Sequence, residues 1–313
     1  MRVLSLFDGI SCGHVALDRA GISVEKYYAS EIEKNAITIT QKNYPDTIQL
    51  GDVTKITEDQ LDSLEEIDMV IGGSPCTDLS NYKYCMNDVT GLNGDSSRLF
   101  YDFVRILRYI KPKYFLLENV ASMEDQWLEK MSEIMECYPI MINSSDFCAA
   151  ERKRYYWTNI PIQKWIPKNI VLRDIIFDAK DVPEKYWYTK YEVTVHDGDP
   201  KIKATIHLNS HRQAKEVYSI NHKCNTLLCD GSGGNLVKKI YQDSRVRKLM
   251  PIEYERLQTL PDNYTAGVSD SARYSAIGNG WTVDVISHIF DGIKLEDTTD
   301  CIFCRKYTNR RLF

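Results

Sequence analysis

From Arg2 to about residue 160 the chain alternates short apolar runs with helical patterns, and this rhythm constrains the fold more than anything else in it. Arg2–Phe7, Lys26–Ser30, Thr47–Leu50, Asp68–Ile71 and Tyr114–Leu117 read as strands. Between them a helix runs to about Ala20, and others cover Lys34–Lys42, Leu99–Tyr109 and Trp127–Cys137. Such alternation predicts an α/β fold, a doubly wound and mostly parallel sheet with helices on both faces. In that architecture the carboxyl ends of the strands converge on one ligand crevice.

Four chemically distinctive features fall at such ends. The first strand runs into the glycine-bearing turn Asp8-Gly9-Ile10-Ser11-Cys12-Gly13, the second into Glu31, the third into Gly51-Asp52-Val53 and the fourth into Gly73-Ser74-Pro75-Cys76. The turn lets backbone approach a ligand, but it lacks GxGxxG spacing and the lysine of a P-loop. Glu31 follows it by the interval at which an acidic group accepts hydrogen bonds from ribose hydroxyls. Asp52 suits an adenine amino group. Either carboxylate serves equally well as a helix or loop cap. Together they outline a nucleoside pocket without phosphate ligands, which suits S-adenosylmethionine better than a dinucleotide. Cys76 is placed to act as a nucleophile through its thiolate, the alternative being a small buried apolar side chain.

Beyond about Asn159 the rhythm stops, and aromatics, basic residues and turn signals mix until about Asp243. This reads as a small irregular domain, residues 159–244, inserted into a catalytic domain of 1–158 and 245–313. Pro251 then starts a helix at its first position and Pro261 stops it. The total charge is −5, yet Glu151 to Arg256 carries 20 Lys and Arg against 13 Asp and Glu. That asymmetry predicts an electropositive surface on an otherwise acidic protein, or a solvated lysine-rich face. Nine cysteines without a paired framework fit a reducing, cytoplasmic compartment, and Cys301-x-x-Cys304 lacks the partners that would complete a zinc site. No apolar stretch is long enough for a membrane span, and the N-terminus reads as a strand, not a signal peptide.

Phe7-Asp8-Gly9, Glu31, Gly51-Asp52-Val53, Gly73-Ser74-Pro75-Cys76, Glu118-Asn119-Val120, Arg152-x-Arg154, Arg256-Leu257-Gln258-x-x-Pro261 and Gly278-Asn279 follow one another in an order that resembles the cytosine-C5 DNA methyltransferases. The likeness runs from residue 3 to about 290. It is closest to the subgroup that includes the animal de novo enzymes, with Ala150 where a glutamine is usual. Lacking an N-terminal reader domain, the chain looks bacterial or phage-borne.

The resemblance implies that Cys76 attacks cytosine C6, Glu118 exchanges a proton at N3, Arg154 holds O2 and Arg152 supports the adduct. For the cofactor it implies Phe7 and Ile32 against adenine with Val53, backbone at Asp8, Gly9, Ile10, Ser11 and Gly13 around the methionine, and Glu31 and Asp52 on ribose and adenine. Pro75, Asn279 and Trp281 close that pocket, although Trp281 is equally readable as a core aromatic. The target base must leave the duplex to meet the cysteine, so double-stranded DNA is the expected partner. Ser80 and Lys83 on the loop from Thr77 to Ser97, and Arg98 just after it, are candidate phosphate contacts. Arg212, Thr226, Gly233 and Gly234, with Lys201, Lys203, His207, Lys215 and Lys223, are candidates in the inserted target-recognition domain. RNA methylation by the same chemistry is an alternative that Cys76-Thr77-Asp78-Leu79-Ser80 does not favour. A catalytically silent DNA-binding regulator is another, against which the retained Cys76, Glu118, Arg152 and Arg154 argue. A monomer is expected, acting either alone or beside a companion restriction endonuclease.

Overall fold

The computed structural model describes residues 1–75, 79, 91–94, 97–209, 212–227 and 236–295. Cys76, Ser80, Lys83, Gly233, Gly234 and the Cys301/Cys304 pair lie outside them. The chain forms two compact units. Met1–Ile142, Lys153–Trp165 and the chain from Val285 onward make the first, Asn143–Arg152 and Ile166–Asp284 the second.

The first unit carries β1 (Arg2–Leu6), α1 (Cys12–Arg19), β2 (Lys26–Ser30), α2 (Lys34–Asn43), β3 (Ile48–Gln49) and α3 (Glu58–Asp62). There follow β4 (Met69–Gly73), α4 (Phe100–Ile110), β5 (Tyr114–Val120), α5 (Asp125–Met135), β6 (Ile140–Asn143) and β7 (Lys153–Thr158). The expected doubly wound sheet is present, in the order β3-β2-β1-β4-β5-β7-β6. Pairing is parallel from β3 through β5, and β7 runs antiparallel to β5. Strand order reverses between β1 and β4, which makes their carboxyl ends the switch point where such sheets bind ligands.

Local sequence explains these elements. Helix α4 buries Phe100, Phe103, Val104 and Leu107, the i, i+3, i+4, i+7 stripe of a helix lying on a sheet. It ends where Lys111 turns left-handed ahead of Pro112. A Cβ at Gly72 would sit 2.8 Å from the Leu6 carbonyl oxygen and 3.0 Å from the Phe103 ring, so only glycine lets α4 press onto the switch point. Strand β1 stops one residue earlier than its apolar run, because Phe7 takes a left-handed φ of 57°.

The second unit is more regular than its composition suggests. It contains β8 (Val193–Val195), β9 (Ile202–Ile206), the short α6 (Arg212–Lys215), β10 (Glu216–Ser219), β11 (Lys239–Gln242) and β12 (Arg245–Lys248). These form a five-stranded sheet in the order β12-β11-β10-β9-β8, antiparallel except for β10 with β11. The expectation of an irregular domain is corrected: its strands are three to five residues long, too short for alternation to stand out between turns.

The chain continues into α7 (Pro251–Leu257), α8 (Asp270–Asn279) and α9 (Val283–Asp291). Proline at the start of α7 and Ser269 capping the Ala272 N–H of α8 set their first turns. Compactness partitions the chain elsewhere than at 158/159 and 244/245. Asp243 and Ser244 form a two-residue hairpin turn between β11 and β12, both with positive φ as a type I′ turn requires. Beyond that hairpin, Arg247 and Glu253, both 0% exposed, join β12 to α7 through two hydrogen bonds of 2.7 Å. Glu253 also accepts from the Met250 and Phe177 N–H groups, and Arg247 Nε donates to Gln242. Burying this pair is tolerable because its polar atoms find partners.

Candidate active site

Glu118 and Arg154 come together in the first unit. Strand β5 is buried throughout, Glu118 and Asn119 included. Glu118 pairs in register with Gly73 of β4 on one side and Tyr156 of β7 on the other. Arg154 lies two residues from Tyr156 and therefore on the same face of β7. Its Nε reaches Glu118 Oε1 at 2.7 Å, with both side chains only about a tenth exposed. A second donor of Arg154, Nη1, is engaged by the Lys153 carbonyl at 2.8 Å. An acid and a guanidinium in this contact form a fixed polar pair at a strand end, able to exchange a proton and to donate to a carbonyl of a bound base.

Asn119 ties this pair to the next strand. Its side-chain amide donates to the Ser74 carbonyl at 3.2 Å and to Ser74 Oγ at 3.1 Å, while its oxygen accepts from the Val120 N–H at 2.8 Å. Ser74 leads directly into Pro75, which is half-buried, and Cys76 follows.

The turn after β1 is held in an uncommon backbone. Phe7, Gly9 and Ser11 all have positive φ, at 57°, 60° and 56°, and for Phe and Ser this conformation costs free energy that surrounding bonds must offset. Those bonds converge on Asp8. Tyr27 Oη donates to Asp8 Oδ1 at 2.8 Å, and the buried Ser11 hydroxyl donates to Oδ2. Burial of this carboxylate raises its pKa to about 6, against the lowering effect of its hydroxyl donors. Phe7 packs half-buried against the core, Ile10 is fully in it, and Gly13 is buried in the first turn of α1.

Glu31 closes over the same turn. Its Oε2 accepts from the Gly9 N–H at 2.7 Å, and its Oε1 from the Ile32 and Glu33 N–H groups at 2.8 Å each. Beside it Ile32 is 72% exposed, a large apolar surface left in the open. Asp52 caps the turn that follows β3, accepting from the Thr54 N–H at 3.0 Å and hydroxyl at 2.8 Å, and these bonds hold its pKa below the usual carboxylate value. Val53 is buried in the core.

Arg152 sits in the second unit. Its guanidinium, buried, donates from Nη1 to the Gly278 carbonyl at 3.2 Å and the Leu227 carbonyl at 3.4 Å. Asn279 is exposed at the end of α8, and Trp281 is half-buried just beyond it. Their turn is clamped by Gln258, 1% exposed, whose amide donates to the Ile277 carbonyl at 3.1 Å and the Gly280 carbonyl at 3.0 Å. Gln258 Oε1 accepts from the Thr282 hydroxyl at 2.6 Å. Motif order brought Gln258 into view, but its role as a clamp becomes apparent only in three dimensions.

Several basic residues of the second unit are engaged internally. Lys201 binds Glu151 at 2.8 Å and Asn225 at 2.6 Å, and Lys223 donates to the carbonyls of Ser145, Cys148 and Lys168. The Thr226 hydroxyl donates to the Glu151 carbonyl at 2.8 Å. Lys203 faces Asp197 at 3.6 Å, and His207 bonds Thr194 across the β8–β9 pair at 2.9 Å. Lys215 lines a cavity of about 430 Å³ with His196, Asp199 and Glu216. Arg212 opens α6, and Arg98 is exposed in a short turn of the first unit.

The glycine turn after β1 and the acid–arginine pair at the end of β5 both lie at the carboxyl edge of the parallel sheet. The family model of the C-5 cytosine-specific DNA methylases matches residues 1–295, and the chain belongs to that family. Its members take their methyl group from S-adenosylmethionine. The type II methyltransferase M.NgoPII of Neisseria gonorrhoeae is 31% identical over 204 residues, 58% of this chain and 58% of its own length. M1.ScrFI of Lactococcus lactis subsp. cremoris is 26% identical across 92% of this chain and 76% of the relative. M.HhaI of Haemophilus parahaemolyticus is 25% identical across 92% and 93%. Among solved structures, the Entamoeba histolytica methyltransferase EhMeth has a TM-score of 0.70 at 17% identity, covering 95% of this chain and 98% of that one. S. pombe Dnmt2 has a TM-score of 0.66, also at 17% identity, with 95% and 98% coverage. These two likenesses concern the fold.

The residues after β1, β2 and β3 fit that cofactor. Among the described residues, none beyond the chain neighbours comes within 4 Å of where a Cβ would stand at Gly9 or Gly51, so neither turn is filled on that side. The exposed Ile32 offers an apolar face beside a carboxylate, a combination suited to a nucleoside.

Proposed function

We propose that this protein methylates C5 of cytosine in double-stranded DNA, with Cys76 as nucleophile. The reading is carried by the Glu118–Arg154 pair, which Asn119 couples to the strand end leading into Pro75-Cys76. Cytosine C5 is a weak nucleophile. Bonding the Cys76 thiolate to C6 makes an enamine whose C5 accepts a methyl group. Glu118 supplies and recovers a proton at N3, and Arg154 donates to O2. Loss of the C5 proton then breaks the sulfur–C6 bond and returns the thiolate. When bound, S-adenosylmethionine supplies the methyl group as a sulfonium. Phe7, Glu31, Ile32, Asp52, Val53, Pro75, Asn279 and Trp281, with the backbone from Asp8 to Gly13, hold it.

The target base is extruded from the duplex to reach Cys76. The second unit reads a short sequence through residues that include Arg212, Thr226, Gly233 and Gly234, while Ser80, Lys83 and Arg98 meet phosphates. Arg152 supports the adduct. No described helix is long and apolar enough to cross a membrane, and the reaction suits the cytoplasm of a bacterial or phage-infected cell, alone or beside a restriction endonuclease.

Transfer of labelled methyl from S-adenosylmethionine to unmethylated duplex DNA, followed by bisulfite sequencing, tests the proposal. Label at cytosine C5 within one short motif is the expected result, with transfer abolished and DNA binding retained in Cys76→Ser. Label on RNA alone, or tight DNA binding without transfer, would overturn it.

A further inference from the structure

Tyr27 has no part in the chemistry above, yet its phenol is aimed at the carboxylate around which the cofactor turn is built. It lies on β2, 2% exposed, paired with Val3 of β1. Its ring stacks on His14 of α1 at 4.4 Å between centroids, and the other face of His14 stacks on Tyr44 at 3.8 Å. Tyr27 Oη donates to Asp8 Oδ1 at 2.8 Å. The other oxygen of Asp8 takes the Ser11 hydroxyl, and Ser11 Oγ lies 3.0 Å from Thr40 Oγ1 of α2. Ser5 of β1 also hydrogen-bonds this carboxylate, and Glu31 is its negative neighbour. Asp8 therefore gathers β1, β2, α1 and α2 at the point where Phe7, Gly9 and Ser11 are left-handed.

We propose that Tyr27 is a positioning residue for the methyl-donor site, holding Asp8 so that Asp8 and Ser11 keep the turn in its ligand-ready course. The inference rests on the reading that this turn binds S-adenosylmethionine. Every hydroxyl around Asp8 must act as donor while the carboxylate is ionised. If it protonates, it must donate in turn, and one of those hydroxyls loses its acceptor. Removing the Tyr27 hydroxyl takes away a donor that favours the charged form, so Asp8 protonates at a higher pH. Burial lowers the pKa of the neighbouring His14, so this ring gains its charge at a more acidic pH than a solvent-exposed imidazole. Tyr44 bonds Asp18, away from Asp8, at 2.8 Å.

Tyr27→Phe keeps the ring stack and deletes only Oη. Affinities for S-adenosylmethionine and S-adenosylhomocysteine are measured by calorimetry from about pH 5 to about pH 9 on the full chain, with thermal melting to confirm folding. Tyr27→Phe is expected to bind both about tenfold more weakly at the alkaline end, as for loss of one hydrogen bond to a charged group. Its affinity is also expected to begin falling at a higher pH than in the unaltered protein. Tyr44→Phe, which leaves Asp8 untouched, should bind as the unaltered protein does. Superimposable pH profiles for Tyr27→Phe, or an equal loss in Tyr44→Phe, would overturn the inference while leaving the function reading intact. An unaltered protein that binds neither ligand would overturn the function reading, and this inference with it.

Discussion

Replacing Gln258 by leucine tests whether one buried amide builds the turn that carries Asn279 and Trp281. The substitution keeps most of the side-chain volume but strands three groups, the carbonyls of Ile277 and Gly280 and the hydroxyl of Thr282. A buried polar group left without its partner costs about 1–3 kcal/mol. The Ile277 carbonyl retains the Gly280 N–H at 3.2 Å, so the lower end applies, and the total comes to about 3 kcal/mol. At ~2–4 °C per kcal/mol for a chain of this order of size, melting should fall by about 6 °C or more. Thr282→Val strands only Gln258 Oε1 and should cost about 1 kcal/mol. In the double variant only the two carbonyls are stranded, so the cost returns to about 2 kcal/mol and the coupling is about 2 kcal/mol. Equilibrium urea unfolding of the four proteins measures the cycle, and S-adenosylmethionine affinity should fall in the same order as stability. Additive costs, or a Gln258→Leu protein as stable as the original, would refute the clamp.

Glu118→Gln keeps an acceptor for Arg154 but removes the exchangeable proton, so methyl transfer should slow by roughly 10²–10⁴-fold with melting little changed; a rate within about threefold of the original would count against Glu118. Arg247→Met leaves Glu253 charged and buried and should cost about 3–5 kcal/mol in urea unfolding, while Arg247→Met with Glu253→Leu should recover much of that loss. Asp8 binds its proton more tightly folded than unfolded, with a pKa raised to about 6 from 3.8. Its contribution to stability is therefore full below about pH 4 and is lost as pH rises through about 6. Relative to Asp8→Asn, the original protein should lose stability across that interval, read as the difference in urea midpoints; a pH-independent difference would show that the carboxylate is not buried as described.

The alternation of strand and helix was legible because β1, β4 and β5 are covered on both faces and so appear as unbroken apolar runs. Glu118 and Arg154 were legible as separate residues, and their contact is a product of β7 pairing antiparallel to β5. The left-handed Phe7 and Ser11 were not legible, since neither residue type advertises a positive φ. Charge counting reports composition and not placement. Several basic residues between Glu151 and Arg256 are ion-paired, Arg247 with Glu253, Lys201 with Glu151, Arg245 with Glu184 and Arg256 with Asp262, while Lys223 is bonded to carbonyls. A net count cannot see such pairing, because partners distant in sequence are scored independently. Asp52 likewise shows in the structure as a cap for Thr54, the alternative its position always allowed.

The way the chain divides has a practical meaning for any exchange of the second unit between relatives. It passes between its two compact units at 142/143, 152/153, 165/166 and 284/285. A single cassette would therefore omit the short excursion that ends at Arg152, whose guanidinium fastens the carbonyls of Leu227 and Gly278. A splice at 244/245 would divide the β11–β12 hairpin in its turn. A workable chimera takes both excursions from the same parent, and in doing so it inherits Asn279 and Trp281 as well, so that a donor of the second unit also donates residues proposed to hold the cofactor.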